Sequence, residues 1–151
     1  MNVEPYLLAT ALNGVVGQRL ARTICSSCQT KYYPSARVLH DAGLDHSRGK
    51  VFLKGSGCQQ CHNSGYLGRI GVLEFMAITP ELRRMIHRSA PSHELRRQVR
   101  QQGGLTLHDE GVQLALDNKT CLEEILRVTQ YDDDLGIENS TLHETNSRSV
   151  A

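Results

Sequence analysis

Cys25-Ser-Ser-Cys28 and Cys58-Gln-Gln-Cys61 are two Cys-x-x-Cys pairs joined by a long connection. Two residues between cysteines let a tight turn aim both thiolates at one ion, and two such turns face to face complete a tetrahedral all-sulfur shell of the kind zinc prefers. Cys25, Cys28, Cys58 and Cys61 are therefore the candidate metal ligands, with zinc as the candidate ion. Turn-forming residues flank each pair: Ser26, Ser27 and Gln29 around the first, Gly55 and Gly57 before the second, and Gly65 after it.

The same cysteines admit other chemistry. Cys58-Gln-Gln-Cys61-His62 also spells the string of covalent c-type haem attachment, with His62 as axial ligand. That use leaves Cys25 and Cys28 without a role and needs export, whereas Met1-Asn-Val-Glu-Pro-Tyr-Leu-Leu-Ala has an early acid and no basic region ahead of an apolar core. A single Cys-x-x-Cys would serve redox chemistry, and two structural disulfides form a further alternative. His62 reads as a solvated neighbour of the zinc turn, and Cys121, the fifth cysteine, as a small, partly buried residue.

No catalytic constellation accompanies the quartet. Gly43-Leu-Asp-His-Ser-Arg-Gly49-Lys50-Val51 superficially resembles a phosphate-binding loop, but five residues separate its glycines and Val51 stands where a magnesium-binding hydroxyl belongs. Asp109-Glu110 reads as helix first-turn chemistry. His40, His46, His87, His93, His108 and His143 form no pair at metal spacing on one helical face. Arg83, Arg84, Arg88, Arg96, Arg97 and Arg100 concentrate positive charge on two helices. They read first as solvated faces, and alternatively as a surface for nucleic acid or an acidic protein in an independent zinc-ribbon module.

Composition bounds the rest. The 151 residues, 39% of them hydrophobic and 5% aromatic with no Trp, predict thin aliphatic cores in one modest domain or two small ones. Seventeen Lys and Arg against 16 Asp and Glu leave a net charge of +1, which supplies no global field for nucleic acid or a membrane surface. No apolar run approaches the length of a membrane span, and the expected location is the cytoplasm.

The elements that must position the cysteines follow from pattern. Pro5 opens a helix with Leu8 and Leu12 on one face, stopped by Asn13-Gly14. Residues 15–22 read as a strand delivering the first cysteine turn. Tyr32-Tyr33-Pro34 is extended, Ser35 caps a helix over residues 36–42 ending at Gly43, and residues 50–54 form a strand returning to Cys58. Residues 65–69 are expected to be a glycine-rich turn, and residues 70–78 the strongest strand. Four helices follow, capped by Thr79 with Pro80 behind it, by Ser92, near Thr106, and by Thr120 with Glu123 completing a capping box. From about Gln130 the acidic, polar composition predicts a disordered tail.

Taken together, Glu4-Pro5-Tyr6-Leu-Leu-Ala, Leu12-Asn-Gly-Val-Val, Gln18-Arg-Leu-Ala-Arg22, the cysteine quartet, Gly65-Tyr66-Leu-Gly68-Arg69-Ile-Gly71-Val-Leu-Glu74 and Thr120-Cys-Leu-Glu-Glu-Ile-Leu-Arg-Val-Thr129 resemble the C-terminal part of the type II secretion ATPase family, general secretory pathway protein E, and its relatives, the type IV pilus assembly ATPases. The resemblance covers roughly residues 3–129. It implies that the quartet is the family's metal site and that the fold is α+β. Residues 1–24 would be the trailing edge of a RecA-like core, 25–66 a tetracysteine zinc subdomain, 67–129 a strand with a helical subdomain, and 130–151 the tail. The family's phosphate loop and magnesium-binding acidic motif belong upstream of Glu4, and none stands in this chain, so it is not expected to be an enzyme on its own. The resemblance further implies partners among the other subunits of a secretion or pilus machine, a homo-hexamer in the full-length family, and indirect contact with inner-membrane platform proteins from the cytoplasmic side.

Overall fold

A computed structural model describes residues 3–129; the tail predicted from Gln130 lies outside the described residues. The two longest predicted strands form, and they pair with each other. Strand β1 (Gly14–Ile24) and strand β4 (Tyr66–Ala77) form an antiparallel ribbon in which Gly14 faces Ala77 and Arg22 faces Arg69. Everything between them is an excursion from one end of that ribbon. It holds a second antiparallel pair, β2 (Gln29–Tyr32) with β3 (Phe52–Gly55), helix α2 (Ala36–Asp41) and two short 3-10 turns, Asp45–Ser47 and Gln59–Cys61. Helix α1 (Pro5–Ala11) precedes the ribbon, and α3 (Pro80–His87), α4 (Ser92–Gln101), α5 (Leu107–Leu116) and α6 (Leu122–Val128) follow it. The described residues are thus mixed α and β, with six α-helices and two small antiparallel sheets.

Period-two alternation decides how the ribbon packs. Ala21 and Val72 point inward with no exposed surface, and Ile70 joins them. They share one core with Leu39 and Phe52 of the excursion and with Val112, Ala115, Leu122 and Ile125 of α5 and α6. A second, smaller cluster of Ile78, Leu82 and Met85 gathers Leu12 just past α1, Ile86 of α3, and Leu95 and Val99 of α4. Arg83 fastens α1 to this cluster. Its guanidinium donates to the carbonyl oxygens of Ala9, Thr10 and Leu12, at 3.1 Å for Thr10 and 3.0 Å for Leu12, where α1 has run out of its own amide donors.

The locally encoded caps form. The Ser35 hydroxyl accepts from Val38 N–H, Thr79 accepts from Leu82 N–H, and Thr106 with Asp109 makes a reciprocal capping box. Two expected caps do not. Pro91 takes the N-cap position ahead of α4, so Ser92 is its first helical residue. Cys121 takes that position before α6, because Thr120 is buried with its hydroxyl donating to Arg22 O at 2.8 Å and Glu123 accepts from Tyr32 Oη–H at 2.6 Å. The expected turn at residues 65–69 is also corrected. Tyr66 onward already belongs to β4, and the ribbon absorbs one extra residue on that strand between the Arg22–Arg69 and Ile24–Tyr66 pairs. Gly68, at φ +89°, supplies the backbone conformation this bulge needs.

Glu124 locks α6 to β1. Its side chain is fully buried, yet it accepts from the backbone N–H of Arg22 at 3.0 Å, from Arg22 Nε and Nη2 at 3.1 and 2.7 Å, and from Arg127 Nε and Nη2 at 2.9 and 2.6 Å. Burial alone would push the carboxyl up, but the hydrogen bonds from Arg127 and Arg22 outweigh it and hold the group at about 2. The Arg22 guanidinium also lies over the Tyr66 ring, 4.1 Å from its centroid. A carboxylate depressed from 4.5 to about 2 contributes about 2–3 kcal/mol after allowance for solvent at both guanidinium groups. That stability is present above the unfolded carboxyl value and is lost as pH falls toward the folded one. Glu124→Gln is therefore expected to lower the urea unfolding free energy by about 2–3 kcal/mol at pH 7. The difference from wild type should shrink between about pH 5 and pH 2, which unfolding curves across that range will check.

Candidate metal centre

The two cysteine turns meet because β1 and β4 hold the ends of the excursion together. Cys25 N–H donates to Gly65 O at 3.0 Å, directly beyond the last ribbon pair. The first turn closes through Cys28 N–H to Cys25 O at 3.3 Å. The second follows β3: Ser56 donates both N–H and Oγ–H to Cys28 O, each at 2.9 Å, stitching the two turns together before Cys58 is reached. Asn63 N–H to Cys58 O at 2.8 Å and Ser64 N–H to Cys61 O at 3.0 Å complete it, with His62 and Asn63 in the left-handed region at φ 50° and 60°. Ser27 Oγ–H donates to Gln60 Oε1 across the gap between the turns.

This scaffold gathers the four sulfurs of Cys25, Cys28, Cys58 and Cys61 within 4.8 Å of one another. The Cys25–Cys58, Cys28–Cys61 and Cys58–Cys61 Sγ distances are 3.9, 3.8 and 3.7 Å. A tetrahedron with metal–sulfur bonds of ~2.3 Å has edges of about 3.8 Å, so these spacings suit one zinc-sized ion at the centre. They are far beyond an S–S bond, and all four thiols are free.

Peptide groups point at the sulfurs as well. Cys58 N–H and Gly65 N–H donate to Cys61 Sγ at 3.2 and 3.3 Å, and Gly57 N–H donates to Cys28 Sγ. Such donors stabilise thiolate charge, as an all-sulfur site requires. Burial pushes Cys61 up, but these N–H groups and the neighbouring thiols bring it down to about 6. Burial and the other three sulfurs push Cys28 up to about 11. Cys61 therefore ionises before Cys28, a spread expected of like charges sharing one site.

The remaining sequence candidates fall elsewhere. His62 is exposed, and Cys58 and Cys61 turn their sulfurs toward the first pair, so the haem-attachment string is spent on the quartet. Cys121 is buried and faces Tyr66 Oη at 3.0 Å, apart from the quartet; its thiol is pushed up by burial. The phosphate-loop lookalike ends α2 at Gly43 and runs into β3, where a true phosphate loop would open a helix. His108 is buried with Nδ1 3.3 Å from Thr129 Oγ1, and burial lowers its basicity. Of the six arginines, Arg83 is spent on α1, Arg84 pairs with Glu81 and Arg88 with Glu94 at 3.4 Å; Arg96, Arg97 and Arg100 stand at exposed positions on α4.

Glu124, Tyr66 and Tyr32 position the site without having been singled out. Tyr32, on the strand after the first turn, reaches Glu123, and Lys54 lies over its ring at 5.1 Å. For Glu124 the local signal was a pair of acids, with Glu123, in the first turn of a helix, a pattern indistinguishable from ordinary dipole chemistry.

The family profile described as Type II/IV secretion system protein matches residues 1–127, and the chain belongs to that family. It is 33% identical over 132 residues to the type II secretion system protein E of Pseudomonas aeruginosa, covering 87% of this chain and 26% of the relative. It is 35% identical over 131 residues to the type IV pilus assembly ATPase PilB of Thermus thermophilus, covering 85% and 15%, and 37% identical over 132 residues to PilB of Pseudomonas aeruginosa, covering 86% and 23%. The chain thus spans about a quarter or less of the length of these curated relatives. Among the described residues no helix is long and apolar enough to cross a membrane.

Two substitutions separate scaffold from ligand. Gly65 has φ +77°, and a Cβ there would lie 2.6 Å from Gly55 O, so Gly65→Ala is expected to lower the denaturation midpoint by an amount equivalent to about 2–3 kcal/mol. His62→Ala is expected to change stability by less than about 0.5 kcal/mol and to leave metal content unchanged, as read by chemical denaturation and elemental analysis.

Proposed function

We propose that this chain is the zinc-stabilised structural and coupling region of a type II secretion or type IV pilus assembly ATPase, with Cys25, Cys28, Cys58 and Cys61 as the zinc ligands. The observation that carries this reading is the near-tetrahedral spacing of four sulfurs at the tip of a ribbon whose sequence belongs to that family. When bound, the ion supplies no reaction chemistry. It would draw two turns together where Leu39, Leu44 and Phe52 are the large buried apolar side chains available to do so.

Residues 1–24 then form the trailing edge of a RecA-like core, 25–66 the zinc subdomain and 67–129 the strand and helical subdomain. Supporting the first of these, the outer face of the β1–β4 ribbon carries Val16, Leu20, Leu73 and Phe75, exposed by 62, 50, 50 and 61%. No described element covers this face. Tyr6 and Leu7 of α1 are half exposed beside it in sequence. Contiguous apolar surface on an unpaired ribbon is the mark of a cut through a larger packed sheet, and the longer relatives have the polypeptide to cover it. Nucleotide chemistry would reside in that additional polypeptide. The region described here would transmit its movements, joined to other subunits of the machine in a ring at the cytoplasmic side of the inner membrane.

Elemental analysis of the untagged protein, with an absorbance spectrum of the same sample, tests the reading. About one zinc per chain and no visible band are expected. Cys58→Ser should lose both the metal and the resistance of residues 25–66 to limited proteolysis; if the variant keeps both, the ligand assignment is wrong. A Soret band would transfer Cys58, Cys61 and His62 to haem attachment.

A further inference from the structure

Among the described helices that follow the ribbon, α4 is the one without a buried residue. Its apolar side chains, Leu95 and Val99, stand one turn apart and are only half-buried against the second cluster. A short helix is held in place mainly by covering such a stripe, so α4 is short of apolar cover. The same two side chains line a cleft of about 650 Å³ between α4, the β1–β4 ribbon and the facing ends of α5 and α6. Leu105, 48% exposed, extends this apolar floor between α4 and α5.

The charge in the cleft is one-sided. Arg19 of β1, Arg96 and Arg100 of α4 and Arg127 of α6 line it, and Glu74, which accepts from Leu107 N–H at 3.4 Å, is the one acid among the described lining residues. The whole chain carries a net charge of only +1, so this is a local concentration and not the overflow of a basic protein. Arg96 and Arg100 lie four residues apart on α4, where like charges repel. Arg127 grips Glu124 through Nε and Nη2, which leaves Nη1 outside that pair. An occupant that set aliphatic side chains on the floor and carboxylates against the arginines would supply what α4 is short of. An amphipathic acidic helix has that pattern. Nucleic acid fits less well, because no Tyr or Phe stands among the described lining residues to stack a base. A bilayer is flat and would meet the arginines without entering a cleft. We propose that the cleft is a docking groove for an acidic amphipathic helix of a partner protein, its apolar face on Leu95, Val99 and Leu105 and its carboxylates on Arg19 and Arg100. The proposal rests neither on the metal nor on the family reading.

Fluorescence anisotropy of the full chain with a labelled synthetic helix of about 14 residues, Leu on one face and Glu on the rest, tests it. Binding is expected at about 50 mM NaCl and should weaken at least ~10-fold at about 500 mM. Arg100→Glu and, separately, Leu105→Asp, both at exposed positions, should each weaken it at least ~10-fold while circular dichroism and metal content stay at wild-type values. Followed by NMR, the amides of α4 should exchange at least ~5-fold more slowly when the peptide is bound. No binding, binding that survives both substitutions, or binding without protection of α4 overturns the proposal. So does equal affinity for a peptide of the same composition with its Leu residues scattered around the helix. Phosphatidylglycerol vesicles or a single-stranded oligonucleotide that protect α4 as well as the peptide does would make the cleft a general anion surface, and would overturn it too.

Discussion

The buried carboxylate of Glu124 sets the relation between every other part. It is removed from water between strand and helix, and only the full set of donors from Arg22 and Arg127 offsets the cost of that removal. Because one of those donors is the backbone N–H of Arg22, the interaction fixes the strand itself and not merely a flexible side chain. Arg22 lies three residues before Cys25, so a group on the last helix of the described chain governs where the first cysteine turn begins. Thr120 Oγ–H to Arg22 O and Ile24 N–H to Lys119 O, at 3.1 Å, extend the same seam along the strand.

The cysteine module is consequently held from two sides. Peptide hydrogen bonds within its own turns bring the sulfurs to the spacing of a tetrahedron, and the shared core of Leu39, Phe52, Leu122 and Ile125 seats the whole excursion on α6. Neither contribution suffices by itself: a handful of apolar side chains is a small core, and four sulfurs that close to one another repel once ionised. A cation among them would resolve the second difficulty and reinforce the first.

How much of this could be read from the sequence depended on whether the deciding interaction was local. The cysteine pairs, the Ser35, Thr79 and Thr106 caps, and the strands around Val16 and Val72 were legible because each is specified by neighbours a few residues away. Thr120, Glu123 and Glu124 were misread or overlooked because their partners, Arg22 and Tyr32, stand far off in the sequence, and tertiary hydrogen bonds displaced the capping box their spacing suggested. Residues 65–69 looked like a turn because Gly65 and Gly68 punctuate them. Pairing with β1 instead draws the segment into the ribbon and uses Gly68 to accommodate one surplus residue. The arginines of α3 read as a solvated face, yet Arg83 closes the end of α1.

The excursion's topology also bears on how the chain reaches this structure. β1 and β4 are distant along the polypeptide, and pairing them from an open chain would carry the entropy of closing the whole intervening loop. Once the cysteine turns have met, Cys25 and Gly65 are already bonded neighbours, and the two strands continue outward like the arms of a tight hairpin. Meeting of the cysteine turns at the ribbon's tip would therefore convert a non-local pairing into a local one, and the sheet would zip outward from there.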